Sequence, residues 1–326
     1  MRGWMKDILL SFIMGAVLPA AVLHAGIRWV SEPELPETVA EVTVQETTQA
    51  VMEPRGLPVL VRNGDASLTE MDMDEYLVGA VLAEMPAVFD PEALKAQSVA
   101  ARTFALRAYT SGGKHGDNSV CTDPACCQAY IHPEEYITKG GAEEALRKIE
   151  KAVKATSGLI LTYEGALIEA TYFSCSGGRT EDAVAVWGTD LPYLRSVESP
   201  GEEGALHYLD KAVFTVAELE QKLGIVFGND TQTWFSDPVL TQGGGVETIS
   251  IGGNVFTGTQ LRKDLGLRST AFTVDTDGMF ITFTTRGYGH RVGMSQYGAE
   301  AMAIGGCGFE EILAHYYPGT SLELHS

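Results

Sequence analysis

The sequence predicts an α+β protein: an N-terminal membrane anchor, a helix-rich half over about residues 57–157 and a strand-rich half over about 158–326, the halves flanking a groove. Three observations carry that expectation. A nearly unbroken apolar run fills residues 8–30. Helix start and stop signals crowd into the first half, and alternating apolar runs separated by glycine turns fill the second. Helices first and strands later do not make a regular βαβ repeat, so one parallel sheet is not expected.

Taken in order, residues 1–30 read as a transmembrane signal anchor. Only His24 and Arg28 carry ionisable groups within 8–30, and Arg2 and Lys6 precede the run. About 20 apolar residues span a bilayer, and flanking basic residues stay inside, which puts the rest of the chain outside the membrane. Leu23-His24-Ala25 lacks the paired small residues of a cleavage site, so a retained anchor is expected over a cleaved leader. Residues 31–56 hold Glu32, Glu34, Glu37, Glu41, Glu46 and Glu53, with no basic residue before Arg55. Such a segment cannot bury enough apolar surface to fold and reads as an acidic, disordered stalk. The domain proper is then 57–326.

Pro58–Arg62 reads as a strand. Asp72 and Glu75 have capping-box spacing for a helix that runs through Glu84 and is stopped by Pro86. Asp90 as N-cap, Pro91 in the first turn and Glu92 after it open a second helix to about Tyr109. A loop rich in Gly, His and Cys covers 111–133, and 140–157 is expected to be helical. Strands are expected at Leu159–Tyr163 and 167–173, joined by a Glu164-Gly165 turn. A strand end and short helix fall at 214–223, a strand at 247–251, a turn at 252–254 and a helix at 259–265. Strands at 271–275 and 279–285 precede a glycine-rich segment at 286–293 and a helix from about Ser295.

Acidic side chains number 43 against 23 basic ones, a formal charge of −20. That balance excludes nucleic acid as a partner, because phosphate binding needs a surplus of Lys and Arg. Four constellations could carry chemistry. Glu84 sits at a helix C-terminus in apolar company; the negative helix end and burial both raise a carboxyl pKa, which suits a general acid, although a solvated helix-end Glu has the same local pattern. Lys95, Ser98 and Arg102 share one helix face, either a ligand-facing stripe or a solvated one. His115, Cys121, Cys126 and Cys127, with His132 as a spare, cluster as a Zn²⁺ site would. A disulfide reading competes, but five cysteines are odd in number and adjacent Cys126 and Cys127 bridge poorly. Cys175 and Cys307 read as inert buried thiols. His290 lies on a glycine-rich turn with Ser295, Gln296 and Tyr297 close behind, a better site candidate than a lone His.

These motifs have a common resemblance. Residues 77–86, the run Leu94-Lys95-Ala96-Gln97-Ser98-Val99-Ala100-Ala101-Arg102-Thr103, Ser174-Cys175-Ser176-Gly177-Gly178, Leu191-Pro192-Tyr193-Leu194, the block from Gly289 through Gly298 and His315-Tyr316-Tyr317-Pro318-Gly319-Thr320 together resemble the stage II sporulation protein D family, in order and over nearly everything from Pro58 onward. The resemblance implies a lytic transglycosylase of peptidoglycan that cuts denuded glycan strands and leaves 1,6-anhydro-muramic ends. It implies action during engulfment in sporulation, at the mother-cell membrane with the catalytic domain outside the cytoplasm, alongside a membrane protein and an amidase or endopeptidase. It implies Glu84 as the catalytic acid and Lys95, Gln97, Arg102, Tyr172, His290, Ser295, Gln296 and Tyr297 as substrate-binding. It further implies zinc, structural in character, on His115, Cys121, Cys126 and Cys127. Two residues depart from the family pattern: Arg291 stands where Gly is usual, and Cys126 where zinc-binding members carry His. Two other readings stand beside this one, a non-catalytic wall-binding or amidase-enhancing module and a zinc-dependent wall peptidase or amidase. The second lacks a His-Glu-x-x-His helix.

Overall fold

The computed structural model describes residues 57–325. The expected anchor at 1–30 and stalk at 31–56 lie outside the described residues. Among those described, no helix is long and apolar enough to cross a membrane. The architecture is mixed α/β, with helices and short sheets around two separate hydrophobic cores.

The first core begins with β1 (Pro58–Arg62) and β2 (Leu68–Asp72), an antiparallel pair. Asp72 then caps α1 (Met73–Glu84), its side chain accepting from Asp74 N and Glu75 N. Helix α1 stops where the sequence says: Met85, ahead of Pro86, is extended. Helix α2 (Pro91–Ser111) has Asp90 as its N-cap and left-handed Gly112 at its end. It runs through the middle of the core, with Leu94, Val99 and Ala100 fully buried. Burying a leucine contributes about 1.5–3 kcal/mol, so this helix anchors the half that carries it.

The expected loop at 111–133 contains a strand the sequence reading missed. Ser119–Cys121 forms β3, which lies parallel to β1. His132 is the N-cap of α3 (Pro133–Thr138), accepting at Nδ1 from Glu134 N, and it lies outside the His115, Cys121, Cys126 and Cys127 cluster, so it is not the spare ligand expected. Helix α4 (Glu143–Ala155) follows, and then β4 (Leu159–Tyr163) turns into β5 (Ala166–Leu167). The expected strand at 167–173 is broken. Its second part, β6 (Tyr172–Phe173), leaves the β4 sheet and pairs elsewhere. The short helix α5 (Ala183–Trp187) closes this stretch.

The chain then makes a second core. Strand β7 (Leu209–Thr215) leads into α6 (Val216–Leu223), β8 (Val239–Leu240), β9 (Val246–Ile251), β10 (Asn254–Thr257), α7 (Gly258–Leu265), β11 (Phe272–Thr276) and β12 (Phe280–Arg286). The sheets β11-β12-β7 and β10-β9-β8 pack around Leu219, Ile251, Leu261, Ile281 and Phe283. Gly287 N donates to Tyr208 O at 2.9 Å, so this unit leaves and re-enters the chain at one point.

The remainder returns to the first core. Strand β13 (Met294–Ser295) lies parallel to β6. Helices α8 (Gln296–Ile304) and α9 (Phe309–Tyr316) pack beside α2, and β14 (Ser321–Leu324) pairs with β4. The helix-rich then strand-rich texture is present, but the cores divide differently: 209–286 form an inserted unit, and residues on both sides of it share the first core.

Candidate active site

Glu84 is the last residue of α1, a position set by Pro86 two residues on. Its side chain is half-buried, and its Oε1 accepts from Ala129 N at 2.6 Å. Burial raises its pKa from the ordinary 4.5, against the opposing pull of the Ala129 N–H and the nearby Gln296 amide. The solvated helix-end reading therefore fails for this residue. Gln296 is almost wholly buried, and its Nε2 lacks a well-aligned partner. That leaves a free donor beside the Glu84 carboxyl.

The wall around Glu84 is a chain of buried polar bonds. Tyr76 Oη donates to Gln128 Oε1 at 2.8 Å, and Gln128 Nε2 donates to Tyr172 Oη at 2.8 Å and to Ala101 O at 3.3 Å. Burial first, and then the Glu84 charge, push the Tyr172 hydroxyl far above its usual value. Gln128 ties α1, α2 and β6 together; nothing in the sequence distinguishes it except its place after the paired cysteines. Gly79 lets the loop lie on α1: a Cβ there would stand 2.3 Å from the Tyr130 ring. Ile131 N bonds to the Gly79 carbonyl at 3.2 Å.

The same loop carries the His and Cys cluster. His115 Nε2 lies 3.7 Å from Cys126 Sγ and 3.6 Å from Cys127 Sγ, and the two sulfurs are 3.9 Å apart. With Cys121, all four donor atoms fall within 4.8 Å of one another. Zn–S near 2.3 Å and Zn–N near 2.0–2.1 Å give tetrahedral edges of about 3.8 and 3.5 Å, so the donor set fits zinc. All five cysteines are free. Burial pushes the Cys127 thiol up to about 12, helped by the other cysteines beside it. Three thiols this close ionise together only around a cation. Cys175 is also inert, its thiol buried against Glu202 and pushed up to about 12.

His290 lies beside β6 and α5. It is half-buried, its ring edge-on to Phe173 at 5.5 Å and tilted against Trp187 at 5.3 Å. Its Nδ1 accepts from Val292 N at 3.1 Å, which leaves the proton on Nε2. Desolvation, with Arg262 and Lys114 nearby, lowers its pKa to about 4, so the ring is neutral at physiological pH. Gly289, just before it, has φ +123°, and a Cβ there would stand 2.7 Å from that of Phe173.

The Arg291 departure now has a reason. Its φ is 66°, the left-handed region where Gly is usual. The side chain compensates by forming a buried ion pair with Glu181 at 3.1 Å and by donating to Ser176 O, Arg179 O and Gly243 O. Glu181 in turn accepts from Gly245 N and Thr241 Oγ1 of the inserted unit. This pair joins the two cores.

Other expected site residues are placed differently. The Lys95, Ser98 and Arg102 stripe is not a ligand-facing surface. Arg102 is fully buried and bonds to Asp74 and to the carbonyls of Thr156 and Leu159, holding α1 and α4 against α2. Ser98 is buried on the Leu94 carbonyl. Lys95 pairs with Glu92 and lies over Phe309, at the contact of α2 with α9. Gln97 is fully buried, both amide atoms without partners. Ser295 caps α8 through Gly298 N, and Tyr297 packs edge-on to Phe89 at 5.0 Å. The geometry thus gathers Gln296 and Tyr172 around the Glu84 carboxyl, with His290 against Phe173, the residue after Tyr172. Gln97, Arg102 and Ser295 stand in the supporting wall, because α2 and the start of α8 are core elements.

Comparison with known proteins adds four findings. The family model described as stage II sporulation protein matches residues 62–163, which include Glu84 and the whole His and Cys cluster. The chain is 41% identical over 288 residues to stage II sporulation protein D of Bacillus amyloliquefaciens, covering 86% of this chain and 83% of that protein. It is 40% identical over 303 residues to stage II sporulation protein D of Bacillus subtilis (strain 168), covering 92% of this chain and 87% of the relative. An amidase enhancer of Bacillus subtilis (strain 168) is 31% identical over 300 residues, covering 76% of this chain and 40% of that protein.

Proposed function

The chain belongs to the stage II sporulation protein D family, and from that premise we propose that it is a peptidoglycan lytic transglycosylase with Glu84 as its acid and base. The observation that carries the reading is the half-buried helix-end carboxyl of Glu84, whose protonated form is favoured by desolvation. In that state it can donate its proton to the glycosidic oxygen as the bond to C1 of a muramic sugar breaks. The resulting carboxylate is stabilised by the Ala129 N–H and takes the proton from the sugar's own C6 hydroxyl. That hydroxyl closes on C1 as a 1,6-anhydro ring. Its attack is intramolecular, so it outcompetes water on entropy, and one carboxyl suffices where a glycoside hydrolase uses two.

In this reading His115, Cys121, Cys126 and Cys127 hold a structural zinc ion, whose contribution is to cross-link the loop. The chemistry of sugar cleavage stays with Glu84. The loop's own residues then deliver the Ala129 N–H and the Gln128 bridge. The catalytic domain would act on wall glycan outside the membrane, anchored through residues 1–30, in a sporulation complex with a membrane protein and an amidase.

The test is product analysis of the full-length protein acting on peptide-free glycan strands. Mass spectrometry should find 1,6-anhydro ends, and Glu84→Gln should lower the rate by about 10²–10⁴-fold with the fold intact. Reducing ends would instead mark a hydrolase. Binding without any product would favour the second reading, a non-catalytic wall-binding or amidase-enhancing module, which the amidase-enhancer relative keeps in view.

A further inference from the structure

Beyond the cleavage centre, an aromatic and a cationic side chain meet at His290 with no structural duty that accounts for both. Trp187 ends α5, and left-handed Gly188 cuts the helix off just after it. The indole is 42% exposed, yet it is not loose: the His290 ring backs it at 5.3 Å, and Phe173 backs His290 at 5.5 Å. A large aromatic surface held stiffly in solvent loses little entropy when a flat apolar face packs on it.

Arg262 of α7 supplies the second half. It is half-buried, and its Nε donates to Arg268 O at 3.3 Å. The same carbonyl accepts from Gly289 N at 3.1 Å, which ties Arg262 to the backbone one residue before His290. Arg102, Arg107, Arg268 and Arg291 all have carboxylate partners, whereas Arg262 has none among the described residues. In a chain with 43 acidic and 23 basic side chains, a half-buried arginine without a carboxylate is out of keeping with its surroundings. The charges felt at His290 come from Arg262 and Lys114, both cationic. This corner of an acidic protein is set for an anion.

We propose that Trp187, His290 and Arg262 form a subsite for an acidic sugar of the glycan: the indole takes the apolar face of the ring, and Arg262 pairs with the lactyl carboxylate that a muramic residue exposes once its peptide is removed. The proposal rests on the glycan reading above and adds to it a reason for preferring denuded strands. While the peptide is attached, that carboxylate is an uncharged amide and offers Arg262 no ion pair.

The experiment measures binding without turnover, by calorimetry on the full-length chain in detergent with Glu84→Gln throughout. Two probes are used: peptide-free strands of alternating N-acetylglucosamine and N-acetylmuramic acid, and N-acetylglucosamine oligomers of equal length, which lack the carboxylate. Arg262→Gln should weaken the muramic strand about tenfold, the scale of one charge-assisted hydrogen bond, and leave the neutral oligomer unchanged. Trp187→Ala should weaken both probes, and Trp187→Phe, which keeps a ring and guards against misfolding, should restore most of the loss. Undiminished binding of the muramic strand by both Arg262→Gln and Trp187→Ala would overturn the subsite while leaving the glycan reading intact. Failure of the Glu84→Gln parent to bind either probe would overturn the glycan reading itself, and the subsite with it.

Discussion

Two stretches of irregular backbone bring residues to the site, and they are fixed by opposite means. The segment at 111–133 presents Gln128 and Ala129, and it is gathered by His115, Cys121, Cys126 and Cys127, whose donor atoms sit within 4.8 Å of one another. The segment at 286–293 presents His290, and it is gathered by Arg291, whose guanidinium bonds to Glu181 and three carbonyls. On the zinc reading proposed above, one fastening depends on an ion that chelation can remove; the other is internal and lies out of reach of solvent. Loops at a site need a scaffold beneath them, and this molecule uses two kinds.

Removing the internal fastening should have the larger effect. Arg291→Ala leaves Glu181 buried and charged without its partner, and should cost about 3–5 kcal/mol in chemical denaturation. The double variant Glu181→Gln with Arg291→Met should recover part of that loss, since the amide still accepts from Gly245 N. A double variant as unstable as the single one would show that the carbonyl bonds, and not the charge pair, hold the segment. The removable fastening comes next. Chelation should expose 111–133 to limited proteolysis and abolish glycan cleavage, while unfolding of the inserted unit shifts by no more than about 0.5 kcal/mol. Loss of both together would mean that the two loops are coupled. The smallest effect should be one of stability at Glu84. Its folded pKa is raised, so the favourable protonated state is fully populated below the ordinary 4.5 and is lost as pH rises through the folded value. Glu84→Gln should therefore be inactive yet more stable than the parent at pH 7, the gain vanishing near pH 4 in paired thermal melts. An inactive variant that is also less stable at pH 7 would make Glu84 a structural residue.

Much of this was legible in the sequence where the signal is local. Asp72, Pro86, Asp90 and Pro91 write the ends of α1 and the start of α2 in capping chemistry. The Glu164-Gly165 and Gly252-Gly253 turns announce their hairpins, and the spacing of the cluster brings its four ligands into view. What stayed hidden depends on partners far along the chain. The pairing of β3 with β1, and the departure of β6 to β13, leave no periodicity to read. Arg102 carries a charge that sequence logic sends to the surface, yet carbonyls exposed at the end of α4 draw it inside. Gln128 looks like any loop amide until Tyr76 and Tyr172 close on it. Arg262 and Trp187 gain meaning only beside His290, which is distant from both in sequence.

The hydrogen bond from Gly287 N to Tyr208 O has a consequence for how the chain can change. It closes the inserted unit at its base, with the Arg291–Glu181 pair as a second tie to the first core. To the first core, a loop closed at its base looks nearly the same whether it is short or long, because each doubling of length costs only about 0.6 kcal/mol of closure entropy. Parts of the unit away from residues 241–245 and Arg268, where it bonds back to the first core, can therefore be lengthened or trimmed while β6, β13 and α8 keep their register around Glu84. Changes of length there would leave the surroundings of Glu84 as they are.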